Sequence, residues 1–186
     1  VSRAKKIAAY GGGGLGAGAL GFAGLAGLLV GETKIARRRI PEATTAPPVS
    51  HNTTWTAAGV SPNRPPIRIA MIGDSTAAGY GVHSEADTPA AQLARRLSRA
   101  ARRPVHVTNV AVVGAESKDI AEQLDRLDAH RWPELAVIMI GANDVTERYP
   151  PAEPVRFLEH AVRRLVAGGA AVVVGSCTDR PTINPI

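Results

Sequence analysis

The sequence predicts an α/β fold built on a parallel sheet, and three observations carry that reading. Short apolar runs of strand length alternate with stretches whose apolar residues recur at helical spacing. The runs are apolar throughout instead of alternating with polar residues, as in strands covered on both faces. Most of the runs stop at a glycine, and the polar residues that can do chemistry follow those stops.

In chain order, residues 7–30 carry no charge, with Arg3, Lys5 and Lys6 before them and Lys34, Arg37, Arg38 and Arg39 after. About 20 apolar residues cross a bilayer core as a helix, which makes this stretch a candidate signal-anchor. A cleaved secretory signal has the same basic and apolar regions. Nine glycines between Gly11 and Val30 weaken a helix and leave a flexible Gly/Ala tail as the third reading. The pairs Gly12/Gly16 and Gly14/Gly18 also fit the close-packing pattern of helix dimers. Residues 1–40 thus read as an N-terminal membrane or export segment, which would put the rest of the chain outside the cytoplasm. Residues 41–66 contain six prolines among small polar residues and read as an extended linker without a core.

The globular part, residues 67–186, begins with IRIAMI (67–72), a buried strand ended by Gly73. Thr88 followed by Pro89 has the form of a helix N-cap with proline in the first turn. Ala90, Leu93, Ala94, Leu97 and Ala101 then stripe one face of that helix. VHVTNVAVV (105–113) reads as a second strand. Ser117 can cap a helix facing inward with Ile120, Leu124 and Leu127. LAVIMI (135–140) is a third strand, ended by Gly141. Phe157, Leu158, Ala161, Val162 and Leu165 mark a third helix, and AAVVVG (170–175) a fourth strand.

Strand–helix–strand repetition of this kind gives a parallel sheet with right-handed crossovers. Ligands of such sheets bind outside the carboxyl ends of the strands. Asp74-Ser75-Thr76 follows the first strand, Gly114 the second and Asn143-Asp144 the third, so three segments are expected to converge on one crevice.

Composition removes several function classes. The net charge of +6 lies wholly in residues 1–40, with seven Lys/Arg against Glu32, while residues 41–186 hold fifteen charges of each sign. With few aromatics besides, no nucleic-acid surface is expected. Cys177 is the single cysteine, and the five histidines are scattered without HxxxH or HExxH spacing, so neither an internal disulfide nor a metal site is expected. The turn from Gly73 to Gly81 is glycine-rich, yet it has neither GxGxxG nor GxxxxGK[ST] spacing, and Asp74 would repel a phosphate. No nucleotide or other cofactor is implied.

A nucleophilic serine suits the same residues better. A serine hydroxyl attacking a carbonyl needs a base and hydrogen-bond donors for the oxyanion. Ser75 stands at a strand end, Gly114 offers an unobstructed backbone N–H, and Asn143 a side-chain amide. Taken singly, each also reads as an ordinary turn, loop or cap residue.

Together the three blocks resemble the SGNH hydrolases, also called the GDSL esterase/lipase family. Gly73-Asp74-Ser75 matches the signature, with Thr76 in the usual Leu place; residues 109–114 (NVAVVG) match the second block, and Gly141-Ala142-Asn143-Asp144 the family's Gly-x-Asn-Asp. The resemblance covers about residues 66–186 and is closest to exported actinobacterial members. It implies a flavodoxin-like three-layer α/β/α sandwich with parallel strand order 2-1-3-4-5. It implies an ester hydrolase acting on lipid or small-molecule esters without a cofactor. Ser75 would be the nucleophile, the N–H groups of Ser75 and Gly114 with the Asn143 amide the oxyanion hole, and Gly73, Asp74 and Asp144 supporting residues.

The family's last block, Asp-x-x-His, supplies the general base and its carboxylate partner; it is absent from this sequence. His83 alone falls in the loop after the first strand; His51, His106, His130 and His160 belong to the linker, a strand and two helical segments. Without the fifth strand, last helix and base, the chain reads as the front part of a longer hydrolase with impaired turnover. The alternative is a non-catalytic, membrane-tethered binding module on the same fold.

Overall fold

Four parallel strands and one antiparallel edge strand make a single sheet in the computed structural model. They are β1 (Asn52–Trp55), β2 (Ile67–Gly73), β3 (Val105–Asn109), β4 (Leu135–Ile140) and β5 (Ala171–Ser176), ordered β1-β3-β2-β4-β5. The structure describes Gly24 and residues 27–32, 34–35, 46–48 and 52–176. The chain divides into two units, Val1–Thr44 and Thr45–Ile186. The described residues of the first unit are helical and mostly exposed. Among the described residues no helix is long and apolar enough to cross a membrane; most of the 7–30 stretch read as a signal-anchor lies outside them.

In the second unit the central strands β2 and β4 pair in parallel from Ile69↔Leu135 to Gly73↔Met139. Ala70, Ile72, Ala136 and Ile138 on them are wholly buried. One face of the sheet is covered by α3 (Ile120–Asp125) and α5 (Ala152–Ala167) through Ile120, Leu124, Ala161 and Leu165. The other is covered by α1 (Ser75–Ala78) and α2 (Pro89–Ala101) through Ala77, Ala90, Ala94 and the half-buried Leu93 and Leu97. The helices therefore flank the sheet on both sides, and the expected order 2-1-3-4 of the parallel strands is the observed β3-β2-β4-β5.

Local chemistry explains the boundaries. Thr88 caps α2 by accepting from the Ala91 N–H at 3.2 Å, with Pro89 opening the helix. β3 stops at Asn109, four residues short of the apolar run, because the Asn109 side chain accepts the Ala111 N–H at 3.0 Å and bends the chain. Phe157, placed on the inner stripe of α5, is exposed instead.

The main departure lies in residues 41–66. Asn52–Trp55 is not linker but the edge strand β1, antiparallel to β3 from Asn52↔Thr108 to Trp55↔Val105. Its side chains are engaged: Thr54 Oγ1 with His106 Nδ1 at 3.0 Å, Thr53 Oγ1 donating to Glu85 at 2.7 Å, and Trp55 packed on the α2 face beneath the Arg95 guanidinium. Threonine and tryptophan favour strands, and the flanking prolines hide so short a run.

Candidate functional site

The crevice is assembled from the three turns that leave β2, β3 and β4. The first begins at Gly73, whose φ of +140° and crowding against β4 exclude any side chain: a Cβ there would stand 1.9 Å from the Met139 carbonyl oxygen. This close approach lets the Asp74 N–H donate to Met139 O at 3.0 Å, locking the turn onto β4. Asp74 is buried and caps the four-residue α1, its Oδ1 accepting the Thr76 N–H at 2.8 Å. Ser75 is thereby the first residue of α1 and half-buried at the sheet edge. Gly79, in the left-handed region at φ 77°, ends the helix.

The second turn carries Gly114. Its φ of +83° is one that glycine adopts without strain, and no atom stands within 4 Å of where a Cβ would be. Gly114 is exposed, and its Cα borders open space. The Val112 N–H donates to Gly73 O at 3.0 Å, bringing this loop beside the Gly73-Asp74-Ser75 turn.

The third turn begins at Gly141, φ 124°, and runs into the short helix α4 (Ala142–Thr146). Asn143 sits in its first turn and donates through Nδ2 to the Ala115 carbonyl at 2.7 Å. That bond couples the Asn143 amide to the residue after Gly114. An amide nitrogen has two protons, so one is used in this tie. Asp144 is buried, its carboxylate accepting the Ser117 N–H at 3.1 Å and the Ser117 hydroxyl at 2.7 Å. Lys118 pairs with Glu116 at 2.6 Å and stands over the Tyr149 ring. This pairing lowers the Glu116 pKa and raises that of Lys118, each through hydrogen bonding with the other.

Two anchoring residues have roles that only the packing shows. Gln123, fully buried on α3, accepts the Gly73 N–H at 2.8 Å and donates to Gly73 O at 2.9 Å, holding the turn from beneath. Asn109 donates to Ala77 O at 3.2 Å and so ties β3 to α1. A glutamine on the inner face of an amphipathic helix is the one available hint for the first. Asn109 opens the second sequence block, residues 109–114.

No histidine hydrogen-bonds to Ser75 among the described residues. His83 is exposed in the loop after α1. His106 is held by Thr54 on the outer strands, and its pKa is lowered by burial and then by the Arg131 charge. His130 and His160 are exposed on a 3-10 turn and on α5, and His51 lies outside the described residues. Asp74 and Asp144 are both spent on capping and positioning N–H groups. The arrangement thus presents a serine at a helix start, an exposed glycine and an anchored amide on three adjacent turns.

Comparison with known proteins agrees with this geometry. Residues 71–185 match the GDSL-like Lipase/Acylhydrolase family. The chain is 37% identical over 172 residues to the GDSL-like esterase Rv1075c of Mycobacterium tuberculosis, covering 89% of this chain and 54% of that protein. It therefore spans about half the length of that curated relative. Among solved structures, TesA superposes with a TM-score of 0.56 at 27% identity, covering 63% of this chain and 64% of TesA. AlinE4, described as an SGNH-hydrolase family esterase, superposes with a TM-score of 0.52 at 26% identity, covering 60% of this chain and 59% of its own. The three turns, the sheet that presents them and the match from Met71 onward place this chain in the GDSL-like lipase/acylhydrolase family.

Proposed function

We propose that this chain carries the nucleophile and oxyanion-binding part of a serine ester hydrolase. Ser75 Oγ attacks the ester carbonyl carbon, its proton passes to a base, and the carbonyl electrons move onto oxygen. The N–H groups of Ser75 and Gly114 and the Asn143 amide take up that negative charge. The C–O bond to the alcohol then breaks with return of a proton to the alcohol, and water releases the acid from the acyl-enzyme. The observation that carries the reading is the hydrogen bond from Asn143 Nδ2 to Ala115 O at 2.7 Å. It holds two expected oxyanion donors on separate turns in one arrangement. Each such donor is worth on the order of 3 kcal/mol of barrier.

No Asp-x-x-His block is present in the sequence, and a serine site without its base retains about 10³–10⁴-fold catalysis over water. Slow turnover of p-nitrophenyl butyrate is therefore expected, together with a butyryl adduct detectable by intact-mass spectrometry. Ser75→Ala should lose both; equal turnover by parent and variant would remove Ser75 from the role. A second reading, ligand retention without turnover, is favoured by the lack of a histidine partner for Ser75 among the described residues. It predicts ester binding with no adduct.

A further inference from the structure

A cavity of about 310 Å³ lies over β2 and β3, and neither Ser75, Gly114 nor Asn143 borders it. Arg68, on its wall, stands five residues before Gly73 on β2, roughly 16 Å along an extended strand. The alternation of β3 builds the floor. Val105 and Val107 are buried with Ala90 and Ala94 of α2, so His106 and Thr108 emerge on the opposite face, level with Arg68 and Ala70 of β2. On β1, Thr54 Oγ1 meets His106 Nδ1 at 3.0 Å, and Asn52 Oδ1 accepts the Thr108 hydroxyl at 3.1 Å. The Asn52 amide keeps its NH2 donors.

Three guanidinium groups border this floor: Arg68 from β2, Arg126 just after α3, and Arg131 at the end of the 3-10 turn Ala129–Arg131. Arg68 pairs with Glu134 at 3.4 Å and Arg126 with Glu122 at 2.5 Å, and neither carboxylate lines the cavity. Among the described residues Arg131 forms no ion pair. Asp128 is the one carboxylate on the lining, and its Oδ1 accepts the His130 N–H at 2.8 Å. Burial, and then the Arg131 charge, lower the His106 pKa, so Arg131 acts on the floor of the cavity. A cavity edged by like charges concentrates ions of the opposite sign. Guanidinium groups match phosphate oxygens in bidentate pairs. A tetrahedral phosphate meets donors from several sides, whereas a carboxylate presents two oxygens. At roughly 30 Å³ per water, the cavity has room for one phosphate group and part of its hydration shell.

We propose that this cavity is a binding site for the phosphate group of a small soluble molecule, held by Arg131, Arg126 and Arg68 over His106, Thr108 and Asn52. The site is independent of the role given to Ser75. Sodium phosphate is titrated into the full chain at pH 7, with sodium chloride keeping the ionic strength constant. The imidazole proton signals are followed by NMR, and His106→Gln identifies the signal of His106. Phosphate should shift that signal saturably. Acetate should bind about tenfold more weakly, as expected for the loss of one hydrogen bond to a charged group. Arg131→Gln should weaken phosphate by at least about tenfold for the same reason, and Arg126→Gln should weaken it too. Circular dichroism should be unchanged in both, because both side chains are exposed. Arg163→Gln removes an equal charge from α5 and should leave the affinity as it is. A His106 signal that does not respond overturns the proposal. So does an acetate affinity equal to that of phosphate, or an affinity that Arg131→Gln leaves unchanged. An equal loss in Arg163→Gln and Arg131→Gln would reduce the effect to general charge attraction and overturn it as well.

Discussion

Gly73 shows how little freedom the turn before Ser75 has. Its φ of +140° and the 1.9 Å approach of a built Cβ to Met139 O leave no room for alanine unless β2 and β4 part. Gly73→Ala should cost at least about 3 kcal/mol, in the range reserved for backbone strain combined with a steric clash. Urea unfolding monitored by circular dichroism reads this directly, and a midpoint near the parent's would show that the strands separate cheaply. The glycine itself was legible as the end of an apolar run. Its necessity was not, since that comes from β4, sixty-six residues later, crossing beside it.

His106 gives a residue-scale prediction with a defined sign. Burial, and then the Arg131 charge, hold its folded pKa below the ordinary 6.5. As pH falls through about 6.5, the unfolded chain takes up a proton that the folded chain resists. Its contribution to stability is therefore intact above that pH and declines below it, levelling once the folded imidazole also protonates. His106→Gln keeps a polar partner for Thr54 Oγ1, which lies 3.0 Å from His106 Nδ1, and should make stability less dependent on pH between about 7 and 5. Urea midpoints across that window measure it; an identical decline in the variant would assign the effect to other groups.

At the scale of elements, the strands and helices with a period of their own were readable, and the pieces defined by a neighbour were not. Thr88-Pro89 and the Ala90/Ala94 stripe define α2 locally. LAVIMI states β4 by itself, and both matched the observed element. β1 has four residues, too few for a period to show, and becomes a strand only because β3 offers it an edge. The same holds for the candidate site: Ser75, Gly114 and Asn143 were visible as strand-end residues, whereas the Gln123 clamp depends on where α3 packs. Trp55 is the side chain that fastens β1, half-buried against the α2 face with the Arg95 guanidinium 5.5 Å from its ring centre. Trp55→Ala should cost about 2 kcal/mol, less than the 3–5 kcal/mol of a fully buried tryptophan. Amide exchange along β3 should accelerate in parallel as its outer partner frays. Unchanged exchange in residues 105–108 would mean that backbone pairing, and not Trp55, holds β1 in place.

For the molecule as a whole, the two edges of the sheet are treated differently. β1 closes the β3 edge, with polar side chains at Asn52, Thr53 and Thr54. Among the described residues β5 forms the other, and on it Val173 and Val174 are 54% and 39% exposed. Residues 41–186 carry fifteen charges of each sign, so no net repulsion keeps copies of this unit apart. An apolar edge strand on an electrically neutral unit favours edge-to-edge pairing. Self-association at micromolar concentration and above is expected. Val173→Lys puts a charge on that edge without removing a buried side chain, so it should shift the sedimentation profile towards monomer with little change in unfolding midpoint. The comparison with the parent chain isolates β5 from the apolar residues 7–30, which both proteins share. If Val173→Lys sediments as the parent does while remaining folded, association does not run through β5.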